Sequence, residues 1–184
     1  ETVTSNLANN TNGLEDIMNL TAHAFFQQAL SDFIQYCING QDQDFELVLK
    51  NVRKSSLYFK KIGDVRLGNI TSALIALVLV FRERSTWYVV GKTSEKLINN
   101  RIWRTYLRYL ALEKSIVEFW PSQLIAIQHG LLVSQESFIV QMPTSAGKTF
   151  VAELAILAAL TEHDNSKCLY IAPFRALVNE VEAK

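Results

Sequence analysis

The sequence predicts an α/β protein in which a mainly helical N-terminal part precedes a unit with parallel strands. Before Phe119, apolar residues recur at helical spacing through most of the chain, and that spacing is typical of amphipathic helices. After Trp120, the short apolar runs 138–141 and 167–172 flank a loop and a further apolar helix. Strand, helix and strand in this order predict a βαβ unit, which implies a parallel sheet.

The helical part is predicted to form an accessory domain over residues 13–119, after a flexible polar N-terminus at residues 1–12. Helices are expected near residues 14–37, 45–59, 69–81 and 97–110, the last capped by Thr93 or Ser94. The third helix is expected to be buried on most sides. Residues 86–90 are β-branched and aromatic, which predicts a short extended piece. This part contains no catalytic constellation in its sequence.

The most informative stretch is the loop 142–149, MPTSAGKT, between the first apolar run and the next helix. A loop in this position can direct backbone N–H groups and a helix N-terminus at a phosphate. Gly147 would allow close approach, Lys148 would reach the β- and γ-phosphates, and the Thr149 hydroxyl would hold Mg²⁺. The strict pattern has glycine where Met142 stands. The predicted nucleotide-binding loop comprises Pro143, Thr144, Ser145, Ala146, Gly147, Lys148 and Thr149, with Lys148 and Thr149 as the catalytic residues.

Formal charge is distributed unevenly, although the net charge of the chain is zero. The residues before Lys50 carry a charge of −7, residues 50–114 carry +10, and the remainder carries −3. A basic middle segment can contact the phosphates of a nucleic acid. Two alternatives remain: the acidic first segment could pack against it, or these cations could lie on ordinary solvated helix faces. The same alternatives apply to Arg101, Arg104 and Arg108.

Membrane insertion is not predicted, because the apolar run 70–81 is shorter than a bilayer span requires. Cys37 and Cys168 lie far apart without metal-type spacing, and two buried thiols in a reducing compartment are expected. The sequence therefore predicts a cytoplasmic protein. The chain lacks an initiator Met and ends within a predicted helix, so we expect it to be part of a longer protein.

Three blocks resemble the first RecA-like lobe of superfamily 2 helicases of the DExH branch. They are the segment 119–123, FWPSQ, similar to the Q-motif region, the loop 143–149, PTSAGKT, similar to motif I, and the segment 172–180, APFRALVNE, similar to motif Ia. The resemblance implies that Gln123 reads the adenine edge. It also implies that Pro173 and Arg175 contact a nucleic-acid strand. Residues 120–184 would then form a partial first lobe.

The resulting hypothesis is the N-terminal part of an ATP-dependent helicase or translocase that acts on DNA or RNA with ATP and Mg²⁺ as cofactors. Two alternatives remain open. The chain could belong to another P-loop motor that translocates without unwinding, or its helical part could be a module that docks a protein partner. In this family an Asp-Glu pair on a later strand organises Mg²⁺, and a second lobe follows the first. The sequence contains neither. The chain alone is therefore expected to be inactive in ATP hydrolysis.

Overall fold

The computed structural model describes residues 2–133, 136–143, 146–162 and 165–171, with side chains from Gly13 onward. The chain divides into two compact units. Unit 1 comprises Glu1–Lys92 and Thr105–Phe119, and unit 2 comprises Thr93–Arg104 and Trp120–Lys184. The segment Thr93–Arg104 therefore belongs to unit 2, although the residues on both sides of it along the chain belong to unit 1.

Within the described residues the regular structure is helical, and longer irregular stretches precede and follow the last helix. The helices are α1 (Thr2–Asn39), α2 (Asp42–Lys61), α3 (Val65–Arg82), α4 (Thr86–Thr93), α5 (Glu95–Asn99), α6 (Arg101–Glu113), α7 (Pro121–Gln128) and α8 (Lys148–Glu162). Helix α1 begins inside the segment 1–12, for which the sequence predicts a loose end. The helices predicted near residues 45–59 and 69–81 correspond to α2 and α3, which extend a few residues further at their ends.

The core of unit 1 is built from one face each of α1, α2 and α3. Ala29, Val48 and Val52 form one buried cluster, against which Leu74 and Val78 of α3 pack. A second cluster joins Tyr36, Phe45 and Leu49. The Tyr36 hydroxyl lies 3.1 Å from the Ser85 hydroxyl and forms a buried hydrogen bond with it. The buried residues of α2, such as Phe45, Val48, Leu49 and Val52, follow one another at helical spacing. The helix was therefore predictable from the apolar periodicity of the sequence.

Helix α3 is less buried than its sequence predicts. It is long and apolar enough to cross a membrane, with 18 residues and a mean hydropathy of 1.6. This finding rests on length and composition alone. Only Gly68 and Thr71 are fully buried in α3, whereas Leu77 is 62% exposed and Val80 is 55% exposed. The prediction of burial on most sides is wrong, because α3 packs through one side.

Two local predictions before Phe119 are also wrong. Residues 86–90 lie in helix α4 rather than in an extended piece, and Trp87 and Val90 are buried at helical spacing. Tertiary packing has overridden the β propensity of this segment. The helix expected over residues 97–110 is interrupted at Asn100, whose side-chain oxygen accepts a 2.8 Å hydrogen bond from the Ile102 N–H. Asn100 is thus the N-cap of a new helix, α6.

The prediction of an α/β fold with parallel strands is wrong for the part of the chain that the structure describes. These residues contain no β-strand, and their one β-bridge is the isolated antiparallel pair Ser85 and Glu118. Residues 138–141 and 167–171 lie outside the helices, and Ile139 is 100% exposed while Ile171 is 82% exposed. Two short segments are too few to form a stable sheet, and parallel strands in particular occur in sheets covered on both faces.

The two cysteines differ in environment, and the expectation of two buried thiols is wrong for Cys168. Cys168 is exposed, and Cys37 is partly buried. Burial raises the pKa of the Cys37 thiol to about 11. Cys37 therefore remains a neutral thiol at physiological pH, and both cysteines are free.

Candidate functional site

The predicted phosphate loop has a backbone conformation that glycine favours at Gly147. Gly147 has a φ of +81°, in the left-handed region where a Cβ is disfavoured. The Ala146 N–H donates to the Pro143 carbonyl over 3.1 Å, which closes the turn. The Val151 N–H donates to the Gly147 carbonyl at the same distance, so the helical hydrogen bonds begin directly after the loop. Thr144 and Ser145 lie outside the described residues.

Helix α8 places both predicted catalytic residues in its first turn. Lys148 is the first residue of α8 and is exposed, and Thr149 follows it and is partly buried. The first N–H groups of a helix have no partner within the helix and carry its positive dipole end. Val151 and Leu154 are buried further along the helix. A cation and a hydroxyl therefore occupy the first two positions of α8, the end of a helix at which a phosphate group binds favourably.

Gln123 lies next to this loop, although 24 positions separate it from Gly147. Its side chain is buried, with 6% of its surface exposed. The Gln123 side-chain oxygen accepts a 2.9 Å hydrogen bond from the Trp120 N–H at the start of α7. A Cβ atom placed on Gly147 would lie only 2.7 Å from the Gln123 Nε2. The structure therefore brings together the glutamine and the glycine that the sequence analysis selected from separate blocks.

Met142, which replaces the expected glycine, has a packing role. It is buried, and it forms a cluster with Ala146 and Val151. Ala126 and Leu131 pack against the same cluster. The thioether side chain thus fills the space beneath the loop and links the loop to α7 and α8, which accounts for this departure from the strict pattern.

Phe119 and Trp120 could both stack on a base, and the sequence favours core packing for the two. Phe119 is buried in unit 1, as that interpretation predicts. Trp120 belongs to unit 2 and is 58% exposed. Its backbone N–H is bonded to Gln123, so its indole projects from the start of the same helix. The neighbouring Pro121, at the first helical position, is the signal that marked this helix start.

The predicted Mg²⁺ site and the predicted nucleic-acid contacts include fewer described residues than the phosphate loop does. No group of three or more potential metal ligands occurs among the described residues. Thr149 is the one predicted Mg²⁺ ligand, which fits a metal that is held mainly by phosphate oxygens and waters. The predicted strand contacts, Pro173 and Arg175, lie outside the described residues, as does Asp164. Their roles stay predictions.

Gly147→Ala is expected to weaken nucleotide binding about 5- to 30-fold. The positive φ costs about 1–2 kcal/mol with any L side chain, and the new methyl would displace Gln123. Gln123 can move because only its amide end is in the way, so the backbone term should dominate. A fluorescent-ATP titration of Gly147→Ala, Gln123→Ala and the double variant separates these contributions. If Gly147→Ala binds normally, the loop does not need this conformation. If Gly147→Ala no longer weakens binding in a chain that also carries Gln123→Ala, the clash with the Gln123 side chain is the cause.

Comparisons with known proteins agree with the motif resemblance. The family described as DEAD/DEAH box helicase matches residues 120–184. The chain is 44% identical to the Hachiman protein HamB of Bacillus cereus over 110 residues, which cover 58% of this chain and 10% of HamB. It is 38% identical to the ATP-dependent DNA helicase Hel308 of Pyrococcus abyssi over 74 residues, which cover 40% of this chain and 10% of that helicase.

Some similarity extends upstream of the helicase segment. The RQC trigger complex helicase SLH1 of Saccharomyces cerevisiae is 28% identical over 149 residues, which cover 77% of this chain and 7% of SLH1. The SLH1 and HamB alignments are both longer than the segment 120–184, so they include part of the helical region. The chain spans about a tenth of the length of these relatives, or less. No solved structure matches the chain significantly.

Proposed function

We propose that this chain, which belongs to the superfamily 2 DExH-type helicases, supplies the nucleotide-binding part of an ATP-dependent helicase or translocase. The observation that carries this proposal is that the buried Gln123 lies beside Gly147, since a Cβ atom placed on Gly147 would lie 2.7 Å from the Gln123 Nε2. A glutamine that could read the base therefore lies beside the glycine of the predicted phosphate loop. The relatives' names include an ATP-dependent DNA helicase, and DNA or RNA is the proposed substrate here.

In the proposed binding mode the triphosphate lies at the N-terminus of α8. Lys148 neutralises the β- and γ-phosphates, while the backbone N–H groups of the loop and of the first helical turn donate to their oxygens. Thr149 would hold Mg²⁺, which supplies charge neutralisation between these phosphates. Gln123 faces the base, because an amide oxygen has two lone pairs and can accept from Trp120 and from adenine together. Pro173 and Arg175 are proposed to grip one nucleic-acid strand.

ATP hydrolysis is proposed to require groups beyond those in this sequence. Metal-assisted attack of water on the γ-phosphate needs a carboxylate that organises Mg²⁺ and the water. The only Asp after the loop is Asp164, and it follows α8 rather than the phosphate loop. The chain would therefore bind the nucleotide without turning it over at a useful rate. Steady phosphate release from the pure chain that disappears with Lys148→Ala would contradict this hypothesis.

The proposal is tested by a titration of the chain with a fluorescent ATP analogue, with Mg²⁺ and with EDTA. We expect Mg²⁺-dependent binding that ATP and ADP displace and GTP displaces at least tenfold less well. Gln123→Ala should remove the preference for adenine over guanine, whereas the exposed Gln128 on the same helix provides a matched control as Gln128→Ala. Absence of nucleotide binding would overturn the proposal. Strand displacement by the longer protein would distinguish unwinding from translocation.

Trp120→Ala is expected to weaken ATP binding about tenfold, since stacking on an aromatic ring contributes roughly 1–3 kcal/mol per base. The exposed indole can stack on adenine, whereas it cannot affect the phosphates. Binding of inorganic tripolyphosphate should therefore stay unchanged, and Trp120→Phe should retain most of the affinity for ATP. Ile125→Ala, at an exposed apolar position of α7, is the control. Equal losses for ATP and tripolyphosphate would show that Trp120 acts on the fold instead.

A second candidate function, the docking of a protein partner by the helical part, is favoured by an apolar groove in unit 1. The groove has a volume of about 230 Å³ and lies between α1, α2 and α3. Leu30 and Leu77 line it and are 49% and 62% exposed. A pull-down with residues 1–119 would support this function, and normal assembly without them would exclude it. We further propose that the protein is cytoplasmic and that residues 13–119 form an accessory domain.

A further inference from the structure

One side of α2 in unit 1 carries four cations that the proposed nucleotide site does not use. Lys50, Arg53, Lys54 and Lys61 follow one another at intervals that place them on a single face of an α-helix. We call these four residues the α2 basic face. Lys50, Arg53 and Lys61 are exposed, and Lys54 is partly buried. The face extends over about 17 Å at 1.5 Å per residue.

No ion pair joins a carboxylate to the α2 basic face among the described residues. The ion pairs among them join Arg82 to Asp42 and Lys92 to Glu83. Asp32 lies in the α1–α2 contact but accepts hydrogen bonds from Gln28 and Asn51, each of 2.8 Å. Asp64 accepts from the Leu67 N–H, 2.9 Å away, as the N-cap of α3. Glu46, one turn before Lys50, is exposed and forms no ion pair in this part of the chain.

The contact between α1 and α2 bears on whether the acidic first segment pairs with the basic middle segment. Apolar residues make this contact, and only the Arg82–Asp42 bridge joins the acidic first segment to the basic middle among the described side chains. The acidic residues before Lys50 therefore form no ion pair with the α2 basic face among the described side chains. Three of its four cations are exposed.

Two aromatic rings hold the face in place at its C-terminal half. Phe25 and Tyr58 stack with their centroids 5.9 Å apart and their planes at 20°. The Lys54 ammonium lies 4.7 Å from the Phe25 centroid, and the Lys61 ammonium lies 5.9 Å from that of Tyr58. A cation over an aromatic ring is attracted to the π electrons and loses freedom of movement. These two ammonium groups are thus partly ordered before any ligand binds, which lowers the entropic cost of binding an anion.

We propose that the α2 basic face binds the phosphate backbone of a nucleic-acid strand, as a second contact independent of Pro173 and Arg175. The length of the face matches about five phosphates at 3.4 Å per nucleotide along one strand of a duplex. Cations without a base-reading pattern bind nucleic acid independently of its sequence. A membrane surface fits less well, because an interfacial helix must insert its apolar face. The apolar face of α2, including Val48, Val52 and Phe59, is buried in the core.

The test compares two variants of the 184-residue chain that lose the same charge from the same unit. The first replaces Lys50, Arg53, Lys54 and Lys61 by Gln. The matched control replaces four other exposed cations of unit 1 by Gln, namely Arg66, Arg84, Lys92 and Lys114. Fluorescence anisotropy measures binding of labelled 20-nucleotide dT and rU strands between 50 and 200 mM KCl. Thermal unfolding by circular dichroism verifies that both variants remain folded.

The first variant is expected to bind at least tenfold more weakly at low salt, and the control less than twofold more weakly. The plot of log K against log[salt] should lose about 3 units of slope, at 0.7 per contact for a single strand. Equal behaviour of the two variants would overturn the proposal, because only net charge would then matter. If Arg175→Gln alone abolishes binding and the first variant binds normally, the second contact is excluded while the proposed function stands. Binding to phosphatidylserine vesicles but not to oligonucleotides would replace the proposal with a membrane surface.

Discussion

Lys148→Ala is expected to lower the affinity of the chain for Mg²⁺-ATP about 100-fold. Lys148 is exposed at the first position of α8, where its ammonium can reach two phosphates together. Hydrogen bonds to charged groups contribute roughly 1.5–3 kcal/mol each, and 1.4 kcal/mol corresponds to a factor of ten. The backbone donors of the loop remain in the variant, so weak phosphate binding should persist. Isothermal titration calorimetry with ATP and with tripolyphosphate measures both losses.

A matched control distinguishes this role from a general effect of positive charge. Lys167 is another exposed lysine of unit 2, and Lys167→Ala should leave the affinity for ATP within twofold of the parent. Lys148→Arg should recover only part of the affinity, because the guanidinium is larger and planar. If Lys148→Ala binds ATP as tightly as Lys167→Ala does, the phosphates do not lie at the start of α8.

Trp103→Ala is expected to destabilise unit 2 by about 3–5 kcal/mol, the usual range for truncation of a large buried aromatic residue. Trp103 is 0% exposed. Its indole N–H donates a 2.9 Å hydrogen bond to the Thr161 hydroxyl in the last turn of α8. The same end of α8 accepts a 3.2 Å hydrogen bond at the Glu162 carbonyl from Lys96. Loss of the Trp103 side chain should therefore loosen the helix that begins with Lys148.

Amide hydrogen exchange of α8 measures this loosening directly and does not depend on the fluorescence of the residue removed. Trp103→Phe should cost less than Trp103→Ala because an aromatic ring stays buried. Thr161→Val should reproduce the loss of the Trp103 hydrogen bond, together with that from the Thr161 hydroxyl to the Leu157 carbonyl. Ile102→Ala alters the adjacent residue, which is 56% exposed, and serves as the control. Equal protection of α8 in Trp103→Ala and Ile102→Ala would show that Trp103 does not support α8.

The helices were predictable where apolar residues recur at helical spacing over several turns. In α2, Phe45, Val48, Val52 and Phe59 are all buried, and their spacing was sufficient to identify the helix. The interruption at Asn100 depends on capping hydrogen bonds from the Ile102 and Trp103 N–H groups to its side chain. Asn also occurs inside helices, so this signal was overlooked. The apolar runs after Trp120 have the composition of strands. Composition does not supply the neighbouring strands that a sheet requires, so the α/β prediction was wrong.

The residue types of the candidate site were predictable from the sequence. Their positions relative to one another were only partly predictable. The positive φ of Gly147 follows from the role of glycine in a tight loop. The burial of Gln123 beside it depends on the path of the chain between α7 and α8, which no local pattern specifies. The exposure of Trp120 was missed for a similar reason. Adjacent aromatic residues are indistinguishable by type, and only the tertiary structure buries Phe119 and leaves Trp120 exposed.

The membership of Thr93–Arg104 in unit 2 has a consequence for synthesis on the ribosome. Trp103 is translated 58 residues before its partner Thr161. At about 5–20 residues per second, its indole would wait several seconds without a partner in the nascent chain. The helices of unit 1 can pair during this delay, since α1, α2 and α3 are consecutive. Unit 2 can close only after α8 has left the exit tunnel, so a ribosome that stalls before Glu162 would expose an apolar tryptophan to chaperones.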